Sequence, residues 1–185
     1  MQAAVRAFLS AAGLDPKSHP ELAQTPSLVA RTWAEELLDG YRSDPHQILA
    51  ERMPAGVRSH DELIVLERLA YQSVCPHHLL PYGGLAHVAY VPGRTLVGFG
   101  QIVRLLDCLS HRLMLQEDLG KEVAEVLMRE LGAKAAGVLL ESEQACMALR
   151  GGRRNGSRVV TEAFAGKLAR DPELRGRFLE AARMP

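Results

Sequence analysis

The chain has 185 residues, 47% of them hydrophobic, which is the size of one ordinary domain with enough apolar side chain for a proper core. Lys plus Arg and Asp plus Glu are equal at 22 each, so no overall field draws the protein to nucleic acid or an anionic membrane, and any anion site must be local. Residues 1–14 are too polar for a secretion signal, and no run approaches the roughly 20 apolar residues of a membrane span, so we expect a cytoplasmic protein.

The first forty residues read as helices: Val5, Phe8 and Leu9 share one face, and Val29, Trp33 and Leu37 recur at steps of four. Thr25-Pro26 opens the second helix and Gly40 closes it. Residues 43–60 carry prolines and mixed charge without a clear period and read as a connector. Leu63, Val65, Leu69 and Tyr71 then lie on one side of an alternating run, and a second strand, 84–91, follows a turn at Pro81-Tyr82-Gly83-Gly84. The helical period returns over 102–131, with a break at His111-Arg112 and Gly132 as the stop. Residues 136–140 and 157–164 read as two more strands, and Asp171-Pro172 caps a last amphipathic helix carrying Leu174, Phe178 and Leu179. The expected class is α+β: an N-terminal helical region over 1–60, then a ββααββ domain with a C-terminal helix over 61–185.

The sharpest chemical feature is Cys75-Pro76-His77-His78, where the first strand should end. Cysteine and histidine are common Zn²⁺ ligands, and three such donors with an open fourth position make a catalytic rather than a structural site. A third ligand must come from afar. Cys146 is the candidate, because antiparallel pairing of the later strands returns it toward the strand carrying Cys75. The same cluster also reads as a buried cysteine beside loop histidines. The remaining cysteine, Cys108, lies in a helical run between Leu105 and Leu109 and reads as packing. Three cysteines in a reducing compartment do not make a disulfide framework.

Residues 73–82, Ser-Val-Cys-Pro-His-His-Leu-Leu-Pro-Tyr, followed by Ala86-His87-Val88-Ala89-Tyr90-Val91-Pro92, resemble the GTP cyclohydrolase I signature S-x-C-E-H-H-L-L-P-F and A-H-V-A-Y-I-P. Downstream, Leu115-Gln116-Glu117 resembles the family's Q-x-Q-E helix start. Residues 141–151, Glu-Ser-Glu-Gln-Ala-Cys-Met-Ala-Leu-Arg-Gly, resemble E-A-x-H-x-C-M-x-x-R-G. Upstream, Thr25-Pro26-Ser27-Leu28-Val29-Ala30 through Gly40-Tyr41 resembles T-P-x-R-V-A ending in G-Y. The likeness spans about 25–168 in order and with similar spacing.

The resemblance implies a T-fold whose subunits join edge to edge into pentamers, two of which stack as a homodecamer with active sites between subunits. By matching position, Cys75, His78 and Cys146 would hold Zn²⁺ and His77 would transfer protons beside it. The implied substrate is a guanine nucleotide, GTP, attacked at C8 with the help of the metal. Gln116 and Glu117 would bind the substrate, Glu117 gripping the guanine edge, since a carboxylate accepts from both N1–H and the 2-amino group. Arg104 and Arg150 would face the phosphates. Read without the resemblance, Glu117 is also a solvated glutamate of a first helical turn, and Arg104 a surface charge.

Four positions with chemical roles depart from the pattern. Gln144 stands for the histidine two residues before the second cysteine, Gly100 and Gln101 stand for the serine and lysine of G-L-S-K-x-x-R, and Pro76 stands for the glutamate of C-E-H-H. A glutamine forms hydrogen bonds but exchanges no proton near neutral pH, so acid or base work is closed to Gln144. Three outcomes fit: the family's reaction to 7,8-dihydroneopterin triphosphate and formate, a partial cyclohydrolase releasing a formamidopyrimidine or diaminopyrimidine nucleotide, or a non-catalytic T-fold subunit.

Overall fold

A computed structural model describes residues 1–15, 17–56, 62–150 and 156–183. The end of the expected connector, residues 57–60, and Gly151 of the E-A-x-H-x-C-M-x-x-R-G likeness lie outside them. The chain divides into two compact units, Met1–Asp39 and Gly40–Pro185.

In the first unit, helix α1 (Gln2–Ala11) packs on α2 (Thr25–Thr32), which continues as a π turn over Trp33–Leu37. Pro26 sits in the first turn of α2, where its missing N–H costs nothing. Leu9 and Ala30 are buried, but Phe8, expected on the same face as Leu9, is 71% exposed. The helix begun by α2 stops at Leu37, ahead of Gly40. Gly40 instead begins the second unit inside a 3-10 turn, buried where a Cβ would collide with the carbonyl oxygens of Cys108 and His111. It is a glycine of close approach rather than of helix termination.

The second unit runs α3 (Pro45–Ile48), β1 (Arg52–Pro54), β2 (Ile64–Val74), β3 (Pro81–Val91), β4 (Thr95–Val97), α4 (Phe99–Ser110), α5 (Gln116–Leu131), β5 (Ala135–Gln144), α6 (Ala145–Ala148), β6 (Arg158–Gly166), α7 (Lys167–Arg170) and α8 (Pro172–Arg183). Strands β2, β3, β5 and β6 form one antiparallel sheet in that order, and the two long helices α4 and α5 connect its two hairpins. This ββααββ arrangement is the T-fold. The described part of the connector, residues 43–56, which lacks a readable period, contains α3 and β1, and β1 pairs antiparallel with β4 as a separate two-stranded ribbon.

Helices α4 and α5 cover one face of the sheet. Ile102, Leu105, Leu106 and Leu109 recur at helical spacing, are fully buried, and meet Leu119, Val123 and Leu127 of α5 above Ala86, Val88, Tyr90, Val138 and Leu140. Each such aliphatic side chain is worth about 1.5–3 kcal/mol over an exposed one. The other face is covered at one end by α7 and α8, where Leu168 and Phe178 pack with Ala89, Val91, Ala135 and Leu139. Asp171 caps α8 as expected, its Oδ1 accepting from the N–H of Glu173 and Leu174 at 3.0 and 3.1 Å. Gly132 ends α5 in the left-handed region at φ 58°.

Two expectations about the first hairpin are corrected. Pro81-Tyr82-Gly83-Gly84 is strand, not turn; the chain reverses over 75–80, closed by hydrogen bonds from Cys75 N–H to the Leu80 carbonyl and from Leu79 N–H to the Cys75 carbonyl, both 3.0 Å. Strand β2 also does not keep its alternation. The register shifts between Leu66 and Leu69, around Arg68 at φ 56°, so one extra residue reverses the faces. Leu69 and Tyr71 therefore belong to the core under α4 and α5, whereas Leu63 and Val65 pack on the opposite side with the cluster of α8.

Candidate functional site

The sheet register gathers the chemically interesting residues at one end. Val74 pairs with Pro81 across β2 and β3, and Tyr82 pairs with Gln144 across β3 and β5. Cys75 and Cys146 thus leave the sheet on either side of the start of β3. Cys75 is buried, at 8% exposure, and Cys146 is half-buried in α6; all three cysteines are free thiols. His77 and His78 are exposed on the turn between them, their rings edge to face with centroids 6.4 Å apart. Leu79 follows at φ 53°, the conformation that closes this turn.

Among the described residues no three His, Cys, Asp or Glu side chains stand close enough to hold a metal ion. The donors are chemically apt, since two thiols and an imidazole suit Zn²⁺, but in this conformation they do not converge. The Arg150 guanidinium is hydrogen-bonded to Nε2 of His78, the kind of atom a metal would take. While Arg150 holds it, Nε2 of His78 is not open to a metal.

The segment 111–115 carries the α5 N-terminus to this end of the sheet. Ser73 Oγ donates to the Arg112 carbonyl at 3.2 Å, Met114 N–H donates to the Val74 carbonyl at 3.1 Å, and Tyr82 Oη donates to the Met114 carbonyl at 3.0 Å. These bonds present Glu117 in the first turn of α5, exposed, where the helix dipole favours a carboxylate. Gln116, one residue earlier, is 3% exposed. Its Nε2 donates to the carbonyls of Leu140 and Val159 at 3.0 and 3.1 Å, and its Oε1 accepts from Ser142 Oγ at 2.5 Å and Gln144 Nε2 at 2.8 Å. That uses the whole bonding capacity of the amide inside the protein. Gln144 Nε2 also donates to Ser142 Oγ at 3.0 Å, and Gln144 lines an open cleft with Tyr71, Tyr82 and Leu149.

Arg104 is exposed on α4. In the first turn of the same helix, Gln101 is 6% exposed and fully employed: its Oε1 accepts from Gly98 N–H at 2.8 Å, and its Nε2 donates to the carbonyls of Ile48 and Glu51, both at 3.0 Å. The position that reads as a lost phosphate-binding lysine is thus a staple between α4 and the segment after α3. Cys108 is 4% exposed, with burial pushing its thiol up and Arg112 partly offsetting this, as expected of a packed cysteine. Sequence reading passed over Tyr71 and Ser142 as site residues. Ser142 was visible as a hydroxyl in place of the alanine of E-A-x-H-x-C-M; Tyr71 carried no signal beyond strand alternation.

The T-fold sheet thus carries a Cys-x-His-His turn at one end with an acidic helix tip beside it. Residues 1–183 match the family model described as GTP cyclohydrolase I. The chain is 40% identical over 180 residues to GTP cyclohydrolase 1 of Chromobacterium violaceum, covering 96% of this chain and 84% of that one. It is 37% identical over 178 residues to GTP cyclohydrolase 1 of Ralstonia nicotianae, covering 96% and 83%, and 38% identical over 179 residues to that of a Sulfurihydrogenibium species, covering 97% and 91%. The chain belongs to the GTP cyclohydrolase I family. The apo archaeosine synthase QueF-Like overlaps 56% of this chain and 93% of its own at 20% identity with a TM-score of 0.45, too low to add weight.

Proposed function

We propose that the chain is a zinc-dependent hydrolase that opens the imidazole ring of a guanine nucleotide, GTP in the first instance, at C8, and releases a formamidopyrimidine or diaminopyrimidine nucleotide rather than a pterin. The observation that carries the truncated outcome is Gln144. It fills the position of the family's second histidine and spends both amide hydrogens on Gln116 and Ser142, so it has no proton to exchange with a substrate.

Glu117 takes the guanine edge, accepting from N1–H and the 2-amino group, and its exposure leaves it free to do so. Arg150 and Arg104 take phosphate oxygens, with Arg150 released from His78 when the site loads. Cys75, His78 and Cys146 are the ligand set, supported by donor chemistry and by their common sheet end. Zinc, when bound, supplies a water acidic enough to act as a nucleophile near neutral pH. His77, exposed beside the ligand turn, delivers a proton to the purine nitrogen that leaves C8. Strands β2 and β6 are the edges of the sheet, which supports assembly into a homo-oligomer, a decamer of two pentamers. No helix among the described residues is long and apolar enough to cross a membrane, which is in keeping with a cytoplasmic place.

The test is metal content together with loss of purine absorbance on incubation with GTP. We expect one zinc per subunit and zinc-dependent ring opening, with Cys146→Ser losing both and Cys108→Ser keeping both. A wild-type protein that holds zinc yet leaves GTP intact is a non-catalytic subunit and contradicts the proposal.

A further inference from the structure

The hydrogen bonds around Gln144 have a fixed polarity, and it originates in the backbone. Carbonyl oxygens only accept, so the Leu140 and Val159 carbonyls force the amide nitrogen of Gln116 toward the sheet and its Oε1 toward Ser142 and Gln144. Ser142 has one hydroxyl hydrogen and gives it to Gln116 Oε1 at 2.5 Å, so toward Gln144 it can only accept. Gln144 must then present Nε2 to both, at 2.8 and 3.0 Å. Both its hydrogens are consumed, and Oε1 alone remains for the cleft that Gln144 lines.

Tyr71 adds a second constraint. It pairs with Gly84, which pairs with Ser142, so the three stand in one row across β2, β3 and β5. No Gly84 side chain separates the Tyr71 ring from Ser142. The Tyr71 hydroxyl is buried without a partner of full hydrogen-bond geometry, and Tyr71 lines the same cleft. Burial pushes this phenol well above its ordinary value and Ser142 partly offsets it, so at neutral pH it is an intact donor facing Ser142.

We propose that Tyr71 and Ser142 are positioning residues which, with Gln116, fix Gln144 as an acceptor toward the substrate, and that this acceptor favours the ring-opened nucleotide over the intact purine. The inference rests on the reading above that the site takes a guanine nucleotide. Opening consumes one water without redox change: its oxygen ends on C8 as a formyl group, the C8–N9 bond breaks, and N7 and N9 each finish with one hydrogen. In the intact imidazole ring neither nitrogen carries a hydrogen. A fixed carbonyl oxygen therefore gains a hydrogen bond as the ring opens, and faces the lone pair of N7 before it does. This holds the opened product where a histidine would drive it onward.

A matched pair of stable probes tests the polarity by binding rather than by turnover. 8-Oxo-GTP carries a hydrogen on N7 within an unopened purine frame, whereas 7-deaza-GTP has carbon there. By calorimetry the wild-type protein should prefer 8-oxo-GTP by about fivefold or more, the size of one ordinary hydrogen bond. Ser142→Ala, and separately Gln144→Met, should bring the ratio near one with 7-deaza-GTP affinity little changed, while Ser142→Thr, which keeps the hydroxyl, should retain it. Tyr71→Phe should lose about half of the preference; full preference would strike Tyr71 from the set. Equal binding of both probes by the wild type, or an undiminished preference in folded Ser142→Ala or Gln144→Met, overturns the inference and leaves the nucleotide reading intact. A wild type that binds neither probe removes that reading and the inference with it.

Discussion

Gln101 shows how a substitution can change from a loss into a structural part. Against the family pattern it reads as a missing lysine, and a sequence cannot show that its amide is buried and bonded to Gly98, Ile48 and Glu51. Returning lysine there would bury an ammonium and leave the Gly98 N–H without its acceptor. We expect Gln101→Lys to cost about 1–3 kcal/mol of stability in urea unfolding, whereas Gly100→Ser, at a helical position where an added Cβ would meet nothing within 4 Å, should be neutral or stabilising. His87, absent from the sequence reading as a titrating group, is 2% exposed on β3 with Nδ1 unpartnered, and burial holds it below its ordinary 6.5. Its folded form resists protonation, so the stability it contributes is fully present above about pH 6.5 and declines as pH falls toward the lower folded value. Urea unfolding between pH 8 and pH 5 should show this decline, and it should be shallower in His87→Gln.

Element identity was largely legible, because helices α4, α5 and α8 each bury an apolar stripe that keeps its period, and Gly132 and Asp171 mark ends by local chemistry. Strand β2 was legible as a strand but not in its faces. A bulge is a backbone event at Arg68, and no residue in Leu66-Glu67-Arg68-Leu69 announces it by composition. The ribbon of β1 with β4 was invisible for a related reason: three-residue strands are too short to carry a period. Arg68 at φ 56° makes the bulge testable. Glycine accepts this conformation freely and a β-branched side chain does not, so Arg68→Gly should hold stability within about 1 kcal/mol while Arg68→Val loses about 1–2 kcal/mol.

For the molecule as a whole, the ββααββ order was readable from the alternation of periods, and the sheet order β2-β3-β5-β6 then places the Cys75 turn and the Cys146 segment at one end. The thiols and imidazoles at that end and the departures from the family pattern were legible residue by residue. The partners of Gln144 were not, because they depend on a register across three strands and on the depth of the α5 N-terminus. With edges at β2 and β6, the protein should appear as a ring-sized oligomer by light scattering at micromolar concentration; a monomer would contradict the assembly and the sites it is expected to share between subunits. The central claim is that chemistry stops after ring opening because Gln144 cannot relay a proton. Mass spectrometry of the products formed from GTP by the zinc-loaded protein tests it most directly. We predict a formamidopyrimidine or diaminopyrimidine ribonucleotide, with Gln144→His shifting the output toward later products; a pterin formed by the unmodified protein at about 1 per second or faster would contradict it.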